Sequence, residues 1–260
     1  MRLGKGFAMW AWEAAFGLND QSLIVLAAII FGAAVVRGLT GFGFAILAVP
    51  LMGLVIAPAQ AVLLAIILQM LIGPFGVGKA IGHIDRRVVS GVAMCAMVGT
   101  PMGLWVLAHT PHDTARLIIA AIAVGCFGTF LVKRAPTPNP APLHIAATGL
   151  SSGLLNGFAA MPGPPVILYF VRSGVPPLTA RGSMILVFFA AAIAGTLTAA
   201  LRGLLSQDLL WLAGLSFPLM LAGNQIGSRF FGVIPERVWR SIVILLLCVA
   251  AAGALAKLQA

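Results

Sequence analysis

Charge is scarce in this chain, and negative charge scarcer still: 8% of the 260 residues are charged, six Asp+Glu against sixteen Lys+Arg. All six acids, Glu13, Asp20, Asp85, Asp113, Asp208 and Glu236, fall at the ends of apolar runs or in the connections between them. A proton relay or a cation cage inside a membrane needs acids placed centrally in such runs, so both are disfavoured. Cysteine is nearly missing as well. Cys95, Cys126 and Cys248 lie within apolar runs without CxxC spacing, which argues against a disulfide framework or a zinc site. There is no HExxH and no pair of acids at membrane depth, so an intramembrane enzyme would lack its base or metal ligands. Nothing calls for a cofactor or a metal.

What is abundant is apolar surface. Hydrophobic residues make up 61% of the chain and the mean hydropathy is +1.08, more than one soluble core could hide, so lipid is the solvent for most of it. A helix needs about 20 apolar residues to cross a hydrocarbon core of about 30 Å. Apolar segments run over Ser22 to Val36, Phe44 to Ile56, Ala61 to Val77, Val88 to Leu107 and Ala115 to Val132. A second series covers His144 to Leu155, Pro165 to Val171, Thr179 to Leu201, Leu209 to Phe231 and Val238 to Leu255. The net charge of +10 does not point to nucleic acid, because the basic residues flank these runs where headgroups and the positive-inside rule account for them.

Between the two series lies Lys133 to Pro142, KRAPTPNPAP, the Pro-rich polar stretch of the chain and its natural linker. The expected layout is an interfacial segment over 1–20 with Trp10 and Trp12 at headgroup level, a first transmembrane repeat over 21–132, a linker over 133–142 and a second repeat over 143–260. Each half opens with two short segments and continues with three of nearly full length. Gly99 and Gly103 answer Gly223 and Gly227 at an offset of 124 (223 minus 99), as Pro111 answers Pro235; Asp85 falls near Asp208, and Pro50 answers Pro165 at 115. An odd number of crossings per half makes the repeats inverted. Loops holding Lys79, Arg86, Arg87, Lys133, Arg134, Arg172, Arg181, Arg229, Arg237 and Arg240 face those holding Arg2, Lys5, Arg116, Arg202 and Lys257. The first set belongs in the cytoplasm and both termini in the periplasm of a bacterial inner-membrane protein. The fold class is thus all-α and polytopic: two inverted repeats, each a broken or re-entrant short helix pair followed by three transmembrane helices, an architecture of secondary transporters.

Two interrupted stretches carry the chemistry. The first is RGLTGFG, Arg37 to Gly43. Its glycines permit backbone a helix cannot use, and freed amides at membrane depth are tolerable only inside protein or at a water-filled cavity. A half-helix opening after the bend would aim its N-terminal amides at an oxyanion, with Arg37 adding fixed positive charge. The same bend also fits a packing kink with Arg37 reaching for an interface. The second stretch is SSGLLNGFAAMPGPP, Ser151 to Pro165, where Pro164 and Pro165 suit the start of a half-helix. Ser151, Ser152 and Asn156 fit anion donors and helix glue alike. Gln69 sits centrally in its segment; Asn224 and Gln225 lie between the glycines of GNQIG, where helix packing explains them equally well; His83, His109, His112 and His144 read as interfacial.

With RGLTGFGFAILAVPL and SGLLNGFAAMPGPPVIL on the page, the chain resembles the TauE/SafE family of sulfite exporters over about Leu23 to Leu255. The resemblance implies a secondary transporter exporting small sulfur-containing anions, sulfite or organosulfonates such as sulfoacetate and sulfolactate, by alternating access. Mapped by motif, the substrate-binding residues would be Arg37, Gly38, Thr40, Gly41, Phe42, Gly43, Gln69, Ser152, Asn156, Gly157, Gly163 and Arg181. Phe42, Phe44 and Phe158 depart from the small residues usual there and point toward an organic sulfonate or carboxylate. The alternatives are an importer of small organic carboxylates, an anion channel and an intramembrane enzyme. Expected partners are the anionic substrate and the lipid bilayer, with a homodimer as an option and no nucleic acid.

Overall fold

The computed structural model describes residues 19–80, 84–131 and 142–230, with Cys248, Ala252 and Gly253. The interfacial segment, the KRAPTPNPAP linker up to Ala141, the Pro235–Arg240 part of the repeat match and nearly all of the Val238 to Leu255 segment lie outside the described residues. Those described form nine helices and no strand: α1 (Asp20–Thr40), α2 (Phe44–Met52), α3 (Pro58–Ala80), α4 (Arg86–Ala108), α5 (His112–Leu131), α6 (Pro142–Ala159), α7 (Gly163–Ser173), α8 (Pro177–Leu201) and α9 (Gln207–Arg229). Five of these, α1, α3, α4, α8 and α9, are long and apolar enough to cross a membrane. The protein is a multi-pass, all-helical membrane protein.

Local signals fix the ends. Asn19 caps α1 by accepting from the Ser22 amide at 2.9 Å, the Asp85 carboxylate takes the Val88 amide to open α4, and Ser206 does the same for Leu209 at the head of α9. One boundary differs from the hydropathy reading. The first member of each short pair is not short: α1 has 21 residues and α6 has 18, about 31 and 27 Å at 1.5 Å per residue. Arg37, Gly38 and Thr40 continue the helix, and the break comes at Gly41, whose φ of 83° is left-handed. Only α2 and α7, nine and eleven residues, are too short to cross.

Lipid-facing and protein-facing surfaces separate as a bilayer demands. Met94, Val98, Met102, Trp105, Leu197, Leu201, Trp211 and Leu215 are exposed on the long helices, while α2 is buried from Phe44 to Pro50 on every side and α3 from Ala61 to Leu68. A helix apolar all round belongs in the interior.

Two seams hold the bundle together, α4 against α6 and α1 against α9. Both are glycine contacts so close that no Cβ fits. A side chain at Gly99 would meet Leu150 O, at Gly103 Leu154 O, and at Gly157 Thr100 O; across the other seam one at Gly223 would meet Phe31 O, at Gly227 Val35 O, and at Gly38 Asn224 O. The contacts repeat one another. Gly157 faces Thr100, Gly103 and Leu104, while Gly38 faces Asn224, Gly227 and Ser228, so α4 maps onto α9 at an offset of 124 (227 minus 103) and α6 onto α1 at 119 (157 minus 38). The bends obey the same 119. Gly41 and Ala160 both have positive φ, 83° and 57°, and each returns its N–H to a carbonyl four residues back, Arg37 and Asn156, at 2.7 Å. Pro50 therefore does not answer Pro165: it lies near the end of α2 and Pro165 in the first turn of α7, a coincidence of composition.

In both seams residue numbers rise together, so α1 runs parallel to α9 and α6 parallel to α4. Between α3 and α8 they run against each other, Gly73 meeting Phe189, Gly76 meeting Ile185 and Ile66 meeting Gly195. The ends carrying Arg86, Arg172, Arg181 and Arg229 gather at one end of the bundle: the Asp85 amide reaches Ser183 Oγ at 3.2 Å, Val89 clusters with Tyr169, Phe170 and Met184, and the ends of α1, α3 and α9 share a cavity with the start of α8. Arg116, which binds Gly53 O at 2.9 Å, marks the other end.

Candidate functional site

The two bends meet. A cavity of about 30 Å³ is bounded on one side by Arg37, Phe42, Gly43, Phe44, Ala45 and Ile46 and on the other by Ala160, Met161, Pro162 and Gly163, with Gln69, Gly73, Ile185, Phe188 and Phe189 closing it. Gln69 is the twelfth residue of the 23-residue α3, so the cavity lies near the middle of the bundle. Both short helices begin at its wall. The first i→i−4 bond of α2 is Leu47 N to Gly43 O, so the amides of Phe44, Ala45 and Ile46 have no acceptor within the helix and carry the positive end of its dipole. Gly43, left-handed at φ 91°, offers no side-chain cap to occupy them.

Arg37 links this cavity to a larger one of about 390 Å³, lined also by Gly38, Gly41, Ile72, Phe75, Gly76, Leu178, Arg181, Gly182, Ile185, Leu221, Asn224, Gln225 and Ser228. It lies toward the end of the bundle where the basic helix ends gather. Nη1 of Arg37 is buried and has no hydrogen-bond partner among the described residues. Arg181 lies against the first bend, where a Cβ on Gly41 would come within 2.8 Å of its Nε. No acidic side chain among the described residues lines either cavity. A buried, unpartnered guanidinium nitrogen such as Arg37 Nη1 costs stability, and an anionic ligand would supply its acceptor.

Of the residues expected at the site, Arg37, Phe42, Gly43, Gln69 and Gly163 line the central cavity, and Arg37, Gly38, Gly41 and Arg181 the larger one. The others do structural work. Thr40 Oγ1 donates to Val36 O and Phe42 O, tying the first bend. Ser152 Oγ gives its hydrogen to Pro162 O at 2.7 Å, tying the second, and Ser151 bonds its own helix at Ala147 O. Gly157 is spent on the seam with α4. Asn156 is fully buried and gives Nδ2 to Ala191 O at 2.9 Å and to Thr100 Oγ1 at 3.3 Å. Gln69 donates to Ala160 O at 3.1 Å, holding the one non-glycine residue with left-handed backbone among those described.

Sequence reasoning missed the aromatic wall. Phe188 and Phe189 are two residues of an unbroken apolar run; the one hint was Gly73, a glycine in a helix, against which the Phe189 ring packs. Asn224 and Gln225 combine the two readings: their glycine neighbours pack on α1, and both residues line the larger cavity.

Fold and cavity define a polytopic membrane protein with paired broken helices around a cationic pocket that no acidic side chain lines among the described residues, the form of a membrane transporter. The family model for sulfite exporter TauE/SafE matches residues 26–254, and the chain belongs to that family. A relative from Cupriavidus necator, described as a probable sulfite/organosulfonate exporter TauE, is 27% identical over 214 residues, 80% of this chain and 84% of the relative. No solved structure matches the chain.

Proposed function

We propose that this chain is a secondary transporter that exports small sulfur-containing anions, sulfite or organosulfonates, across the bacterial inner membrane by alternating access. The observation that carries the reading is half-buried Arg37, whose Nη1 is buried and without a hydrogen-bond partner among the described residues, on the wall where α2 and α7 begin. A tetrahedral or pyramidal oxyanion there accepts from Arg37, the first-turn amides of α2 and Gln69. Phe42, Phe44, Phe188 and Phe189 give the cavity an apolar wall for a short organic tail to meet, which favours organosulfonates.

Membership of a transporter family and the printed description of the relative support the cargo class. The opposed directions of the two parallel seams support inverted repeats over 21–132 and 143–260. Collected basic ends support a cytoplasmic placement of the large cavity and periplasmic termini. A potential negative inside then drives an anion outward without a further coupling ion.

Efflux of labelled sulfite and of short sulfonates from proteoliposomes tests the reading, with the Arg37→Ala variant alongside. Saturable efflux competed by sulfonates and cut at least tenfold by the substitution is the expected result. Competition by short carboxylates alone would replace the cargo. Flux far above carrier turnover in a planar bilayer would make the protein a channel.

A further inference from the structure

The exchange symmetry locates a second path. Carried across at 119 and 124, the large cavity's Arg37, Gly38, Asn224, Gln225 and Ser228 become Asn156, Gly157, Thr100, Pro101 and Leu104, on α6 and α4 where these meet α8. This mirror position is shut. Asn156 and Thr100 are wholly buried; Asn156 Nδ2 bridges to Ala191 O on α8; and Gly195, on the same helix, packs against Ile66, a Cβ there standing 3.4 Å from Nδ2. So one side of the molecule holds an open cavity, and the side that mirrors it is closed.

The closed seam is polar inside and only partly satisfied. Asn156 Oδ1, on α6, and Thr196 Oγ1, on α8 one residue beyond Gly195, are both buried without a hydrogen-bond partner among the described residues. Apolar helices packed for stability alone would leave no such groups there, since each unmet polar atom costs stability. We propose that this seam, around Asn156, Thr100 and Thr196, is a second station for the anion and its route to the face opposite the large cavity, exposed when α8 parts from α6. The proposal rests on the alternating-access reading above. Opening breaks the bond from Asn156 Nδ2 to Ala191 O and leaves that N–H free to donate to the anion, so the group that latches the closed state is the one that meets the ligand in the open state.

The two stations differ in charge. Arg37 becomes Asn156 under the exchange, so a charge-assisted hydrogen bond is replaced by a neutral one of about half its strength. Entry from the Asn156 side is therefore weaker, by a factor of about ten in KM.

Side-specific labelling tests this in oriented vesicles holding the full chain with Cys95, Cys126 and Cys248 replaced by Ser. A membrane-impermeant maleimide labels Ser228→Cys from the face of the large cavity. Thr196→Cys, and Thr100→Cys as a second position should the first not fold, labels from the opposite face, and Asn156→Ala raises that labelling several-fold by removing the latch. Labelling of both mirror positions from the Ser228 face, or of neither while Ser228→Cys reacts, overturns the proposal, as does equal KM from the two faces. Two-sided labelling in vesicles that carry no sulfite or sulfonate would keep this path and remove the proposed cargo; sulfonate flux with inert mirror positions would do the reverse.

Discussion

The first bend, Arg37 to Phe44, and the second, Asn156 to Gly163, share one backbone and differ in what they offer a ligand. Both turn at a left-handed residue and both start a short helix at the central cavity. The first carries a guanidinium, two left-handed glycines and three first-turn amides free of intrahelical acceptors. The second carries a carboxamide already committed to α4 and α8, and Pro164 and Pro165 have no N–H to give in the first turn of α7. The scaffold is alike on both sides, while the fixed positive charge lies on one. A site of this kind needs two broken helices to build the cavity and one to charge it.

The comparison breaks most decisively at the seams. Gly103→Val and Gly227→Val should each destabilise by on the order of 3 kcal/mol, because helix backbone occupies the place of the new side chain. Monodisperse protein in detergent should be lost in both, equally if the seams are true counterparts. Next in size is Arg37→Ala. Losing charge-assisted hydrogen bonds worth about 1.5–3 kcal/mol should weaken anion binding roughly ten- to hundred-fold by calorimetry, with thermal stability kept or raised since a buried charge is removed. Asn156→Ala should alter affinity far less in the same assay.

Smaller effects sharpen the parallel between the turning residues. Ala160→Gly relieves left-handed strain and should stabilise by about 1 kcal/mol, whereas Gly41→Ala should cost at least that and displace Arg181 from the bend. Opposite shifts in melting temperature would establish that the turns are geometric equivalents. Smallest is Gln69→Leu, which gives up one bond to Ala160 O, about 1 kcal/mol, and should show as a modest loss of stability with a larger loss of transport.

Much of this was legible before any coordinates. Membrane helices announce themselves because hydropathy is a property of consecutive residues, and the interrupted stretches Arg37–Gly43 and Ser151–Pro165 are legible because glycine and proline act on their own backbone. Gly99, Gly103, Gly223 and Gly227 gave the duplication at the offset the seams obey. The short first segments came out long because Arg37, Gly38 and Asn156 are poor in hydropathy and compatible with helix. The hydroxyls of Thr40 and Ser152 read as donors to a ligand, yet each is used within its own bend, a choice no residue type announces.

By itself, then, the sequence determined that the chain lives in a bilayer and in which two stretches its helices are interrupted, since each depends on residues adjacent in the chain. Only the tertiary structure decided that α1 pairs with α9 and α4 with α6, that both bends face one cavity, and that Phe188 and Phe189 wall it. Those relations join residues as much as 192 positions apart (227 minus 35), and they follow from which glycine faces let two backbones touch, a matter of packing in three dimensions that local composition cannot express.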